Sequence, residues 1–71
     1  MRRDSMRVIY DADTDSLSLI FREGAVSESD EIREGVILDF DGQGRIVSLE
    51  VLQASQHIAE PQTIAYEVKG H

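Results

Sequence analysis

Cysteine is absent from this 71-residue chain, which excludes disulfides and thiolate metal sites. Tryptophan is absent too, and only two Tyr and two Phe stand in for it. A single proline, Pro61, leaves the rest of the chain free to build hydrogen-bonded elements. The two His, His57 and His71, lie far apart, so no His-rich zinc set is expected. No apolar run approaches the 18 or more residues of a spanning helix, so no membrane is expected as a partner. Met1-Arg2-Arg3-Asp4-Ser5 is not followed by a signal-type apolar stretch, and a cytoplasmic protein is the expectation.

Basic residues are scarce as well. Seven Lys and Arg face 14 Asp and Glu, for a net charge of −7. Affinity for nucleic acid rests largely on Lys and Arg releasing counterions from phosphates, so no nucleic-acid partner is expected. An acidic excess keeps a small protein dispersed, and it also suits a basic protein partner.

What is present is period-two alternation, the mark of half-buried strands. Met6 to Asp11 reads as a first strand, with Val8 and Tyr10 on one face. Ala12-Asp13-Thr14-Asp15 is turn chemistry, because Asp and Thr side chains bond nearby backbone. Ser16 to Arg22 follows, with Leu17, Leu19 and Phe21 on one side. Ala25 to Ile32 is the most polar strand. Its charges suit a sheet edge, where they discourage pairing with another chain. Val36 to Asp41 and Arg45 to Leu52 form a hairpin about Gly42-Gln43-Gly44. Gln53 to Ala59 is compatible with one or two helical turns, which must stop before Pro61.

The expected fold is α+β, mostly β. It is an antiparallel meander of four to five strands with a short C-terminal helix. Residues 1–60 form the domain and residues 61–71 a tail. Within the tail, Thr63 to Lys69 alternates again. It reads as an extra strand, a segment exchanged with a second copy, or a disordered terminus. One sheet face collects Val8, Leu17, Leu19, Phe21, Val36, Leu38, Phe40, Val47, Leu49 and Val51. A helix this short cannot cover a sheet face, and a domain of this size is short of core. A homodimer is therefore expected.

Candidate chemistry is thin. Asp11-Ala12-Asp13-Thr14-Asp15-Ser16 begins like a calcium loop, but Ser16 and Arg22 occupy the places where such a loop needs Gly and Glu. A strand follows Gly42-Gln43-Gly44, whereas a phosphate loop needs a helix. Asp39 and Asp41 are two apart, which is a spacing for an acid–base pair, yet a solvent-facing position beside the turn is the better expectation. His57 has Ser55 and Glu60 nearby without a nucleophile elbow, and is expected to be exposed. No catalytic, cofactor-binding or metal-ligating residue is assigned, and no enzyme is expected. Glu28, Asp30, Glu31 and Glu34 are the candidate partner-binding residues, as an acidic strip that steers a basic partner. The alternative is a small-molecule or divalent-metal binding protein using the carboxylate-rich turns Asp11–Asp15 and Asp39–Asp41.

Four blocks carry a resemblance. They are Tyr10-Asp11 with Asp15-Ser16-Leu17-Ser18-Leu19, then Ser27 to Glu31, Gly35 to Asp41, and Gly44 to Ser55. In order and spacing they resemble domain-of-unknown-function family 2283, over roughly Val8 to Ile58. Ser48 departs from the Gly usual there, and Leu49 from the frequent Ile. The resemblance implies a small, mostly prokaryotic β-rich protein with no established activity. Such genes often stand beside those of small basic toxin-like proteins, which implies an antitoxin-like role. No catalytic residues come with it, and nothing carries over to the tail.

Overall fold

The computed structural model describes residues 5–70. Five strands form one wholly antiparallel sheet: β1 (Arg7–Asp11), β2 (Ser16–Ile20), β3 (Glu28–Arg33), β4 (Val36–Phe40) and β5 (Ile46–Val51). Their spatial order is β1-β2-β5-β4-β3. The expected meander is thus only partly correct. A β1–β2 hairpin and a β3–β4–β5 meander are present, but β2 pairs with β5 and not with its sequence neighbour β3. Residues 21–27 carry the chain to the far edge. The apolar strand β5 thereby takes the centre of the sheet with partners on both sides, and the acidic β3 is left at an edge.

The register stacks like with like. Val8, Leu19, Leu49 and Leu38 form one cross-strand row, and Tyr10, Leu17, Val51 and Val36 the next. These rows make one face apolar, as the alternation predicts. On the opposite face, Arg7, Ile20, Ser48, Asp39 and Ser29 form a row beside Ile9, Ser18, Glu50, Ile37 and Glu31. A β-bulge holds this pattern together. Phe40 pairs with Ile46, but Asp39 pairs with Ser48, so Val47 is the extra residue. Without the bulge, Leu38 would face Ser48 and Val36 would face Glu50, so the apolar face of β4 would lie against the polar face of β5. Val47 is itself buried.

The core lies on the apolar face and is small. Leu17, Val51 and Ala54 are buried, with Tyr10, Val36, Leu49 and Ile58 packed around them. Ala54 is 0% exposed. It belongs to a single 3-10 turn, Ala54–Gln56, which replaces the expected helix. No α-helix occurs among the described residues. The entry at Gln53 is left-handed (φ 50°), no side chain caps the turn, and Pro61 ends any continuation. A nucleus of one turn with no cap does not propagate.

The tail, residues 61–70, is not a strand: Thr63 donates to the Glu60 carbonyl at 3.0 Å, and no strand follows among the described residues. Pro61, Thr63 and Ile64 run instead beside Val8, Leu17, Leu19 and Ile58, over the β1–β2 end of the apolar face. Within the 21–27 connection, Val26 stands on the polar face beside Ser18, Ile20, Asp39, Ser48 and Glu50. No helix among the described residues is long and apolar enough to cross a membrane.

Candidate functional site

Three groups of polar side chains stand out, and each grows from local backbone chemistry. The first is the acidic edge. Every residue of β3 is exposed, and so is Glu34 in the turn that follows. Pairing places Glu28 beside Phe40 and Asp30 beside Leu38, on the apolar face, while Glu31 sits beside Ile37 on the polar face. The strip expected from the sequence is therefore split across both sides of one strand. Glu31 also has local work: its Oε2 accepts the Gly35 N–H at 2.9 Å, closing the β3–β4 turn. A bulge at Ile32 twists the strand end. Charges on both faces of the strand together with a bulge disfavour strand addition along this edge.

The second group is a carboxylate cluster on the polar face. Asp39 is only 4% exposed, which corrects the expected solvent-facing position. Its Oδ1 accepts the Ser29 hydroxyl at 2.6 Å and its Oδ2 accepts the Ser48 hydroxyl at 2.7 Å. Ser48 directly faces it across the bulged hairpin, and Ser29 faces it from β3. Glu50 is the diagonal neighbour, in the adjacent polar row. A hydrogen bond from Glu50, helped by those from Ser29 and Ser48, holds the Asp39 carboxyl below the usual carboxylate range against the cost of burial. That same bond, with burial and the Asp39 charge, pushes Glu50 up. When Glu50 is protonated, its carboxyl is placed to donate toward Asp39. It borders a cavity of about 450 Å³ lined also by Ser18, Ile20 and Val26.

Asp41 does not join this pair, so the Asp39–Asp41 spacing does not form an acid–base couple. Asp41 lies beyond the end of β4, where its Oδ1 accepts the Gln43 and Arg45 N–H groups, both at 2.9 Å. Its Oδ2 meets the Arg45 guanidinium at 2.9 Å on the surface. Those backbone bonds, Arg45 foremost, lower its pKa.

The third group is a clamp about Asp15, a residue in the left-handed region (φ 55°). Tyr10 Oη donates to Asp15 Oδ1 and Ser55 Oγ to Oδ2, each at 2.6 Å. The Asp15 carbonyl accepts the Ala54 N–H at 2.8 Å. Hydrogen bonds from Ser55 and then Tyr10 lower the Asp15 pKa, and the Tyr10 phenol is raised in return. Ser55 is thus committed to Asp15, and His57 is exposed as expected. The Asp11 carboxylate accepts the Asp13 and Thr14 N–H groups at 3.0 and 3.4 Å, ordinary turn capping in place of a calcium loop. Among the described residues, no three His, Cys, Asp or Glu side chains converge as a metal would require.

Sequence reasoning missed the Asp39–Glu50 pair and the Asp15 clamp. The signal for the first was the Asp39–Ser48 register, which only the bulge creates. For the second it was the polar pair Asp15 and Ser55, 40 positions apart.

Comparison with known proteins agrees with this architecture in extent. The model of a protein family of unknown function, DUF2283, matches residues 7–55, from the first residue of β1 to the Asp15 partner Ser55. An uncharacterized protein of Methanocaldococcus jannaschii is 35% identical over 51 residues, covering 72% of this chain and 43% of the relative. The chain thus spans less than half the length of that curated relative. No solved structure matches it.

Proposed function

This chain belongs to the DUF2283 family, and from its surface chemistry we propose that it is a non-enzymatic protein-interaction module, antitoxin-like, that binds a basic partner protein. The observation that carries this reading is β3. Glu28 and Asp30, with Glu34 in the adjoining turn, are exposed together on an edge strand that disfavours strand pairing. Their carboxylates have no hydrogen-bond partner among the described residues, whereas Asp15, Asp39 and Asp41 are engaged within the fold. A net charge of −7 adds a long-range field that raises the encounter rate with a basic surface.

Divalent-metal or small-molecule binding through the turns has less support. Asp11 and Asp41 already accept backbone N–H groups, and a metal would have to break those bonds. Catalysis has less still, because Ser55 donates to Asp15 and Asp39 is walled in by hydroxyls.

The test is co-expression with the basic product of an adjacent gene. The reading expects co-purification at low salt, lost above about 0.5 M salt as screening shortens the reach of surface charges. It also expects loss on the triple change Glu28→Gln, Asp30→Gln and Glu34→Gln, which spares the turn-closing Glu31. A basic product that elutes alone, or one retained in full by the triple variant, would refute it.

A further inference from the structure

Two global measures show a chain with too much surface for its mass. The accessible area is 5842 Å² for 8.0 kDa. A compact monomer of that mass exposes about 4,450 Å². The radius of gyration is 13.1 Å, against about 11 Å for a globular chain of this length. The surplus, on the order of 1,400 Å², is more than the roughly 800 Å² that each subunit contributes to a standard interface.

The tail contributes exposed apolar side chains to this surplus. Tyr66, Val68 and Ile64 are 82%, 69% and 65% exposed. They alternate along an extended tail that, past Thr63, donates no backbone hydrogen bond to another element among the described residues. Ile64 and Tyr66 stand with Ser5, Met6 and Val8 around a cavity of about 450 Å³, and Met6 and Val8 are themselves exposed. This strip lies at the β1 side of the sheet, at the opposite end of the strand order from the acidic β3.

The geometry points to a second copy of this chain as its occupant, joined about a two-fold axis by the strip of Met6, Val8, Ile64, Tyr66 and Val68. An isologous contact places each strip on its twin, so apolar surface meets apolar surface with no second partner required. The net charges of two copies repel, but local charge leaves the strip free for this contact. Each chain carries −7, yet the strip holds no carboxylate, and its neighbours Arg7, Glu67 and Lys69 offer both signs to a two-fold mate. A basic partner would find its complement at β3 instead. The inference stands apart from the proposed basic partner, since it uses other residues on the other side of the sheet.

Sedimentation of the full chain between about 1 and 200 µM tests it. The expected result is the mass of two chains in the upper part of that range. Tyr66→Asp and Val68→Asp, at side chains that bury little within one chain, should each weaken association at least tenfold with unchanged circular dichroism. Glu28→Gln with Asp30→Gln should leave it unchanged. In a mixed labelled and unlabelled dimer, isotope-filtered spectra should show the Tyr66 ring near methyl groups of Met6 or Val8 of the other copy. A monomer at 200 µM would overturn the proposal. So would a dimer indifferent to both Asp variants, or one lost in the Glu28 and Asp30 variant.

Discussion

Ser55 donates its hydroxyl to Asp15 across 40 residues of sequence, at 2.6 Å, and its N–H reaches the same carboxylate at 3.2 and 3.3 Å. This contact joins the β1–β2 turn to the 3-10 turn after β5. It seats Ala54, the most buried residue of the core, against Leu17 and Val51. A polar contact at the rim thus positions the apolar lid at the centre.

Asp15→Asn should lower the melting temperature at neutral pH and flatten its acid dependence. Asp15 has a depressed pKa in the folded chain. Its contribution is therefore present above the unfolded value of about 3.8 and is lost as pH falls through the lower folded value. Thermal melts of wild type and variant should converge in strong acid. A constant gap at all pH values would show that the carboxylate charge has no part in the clamp.

Glu50→Gln should behave in the opposite sense. Glu50 is raised above 4.5, so its charged form opposes folding, and wild type should gain stability as pH falls through that raised value. Glutamine keeps a donor facing Asp39 without the charge. The variant should melt higher than wild type at neutral pH, with the difference closing in mild acid. At lower pH, protonation of Asp39, whose folded pKa is depressed, reverses the gain. A neutral-pH loss in the variant would show that the Glu50 charge does not oppose folding.

Gly35→Ala should be costlier than Gly44→Ala, although both glycines have nearly the same φ, 78° and 80°. Either change strains the backbone by about 1–3 kcal/mol. At Gly35 an added Cβ would also lie 3.3 Å from the Leu52 carbonyl oxygen, whereas at Gly44 it meets open space. Leu52 also donates its N–H to the Gly35 carbonyl at 2.7 Å, so the two segments cannot part freely. Urea denaturation of both variants gives the comparison, and equal midpoints would rule out the close approach.

Leu17→Ala should cost about 2–5 kcal/mol, the range for truncating a buried Leu. Total stability for a domain of this length is on the order of 4–10 kcal/mol. With so few buried side chains to share the loss, the variant should be partly unfolded at 37 °C, as circular dichroism would show. A fully folded variant would place the core elsewhere.

Alternation by itself placed the five strands to within about three residues at each end, with most of the side chains that share the apolar face, although the same signal over Thr63 to Lys69 gave no strand. Val36, Leu38, Leu49 and Val51 could take only one side, because side chains of a strand reverse at every residue. The charge of the β3 segment likewise marked an edge. The family blocks were also legible, ending at Ser55 as the family match does.

Partner choice between distant strands was settled only in three dimensions. Pairing β2 with β5, in place of β3, follows from competition for the centre of the sheet, and local pattern carries no record of that competition. The bulge at Val47 is the sharpest case. A plain hairpin places Asp39 opposite Val47, and the extra residue moves it opposite Ser48, where Ser29 and Glu50 complete its shell. The helix expected after β5 shrank to one turn because Asp15 holds Ala54 and Ser55 in place before a second turn can form. Local sequence sets the period of an element. Its neighbours, and the one-residue slip that lets two apolar faces coincide, are set by packing over the whole sheet.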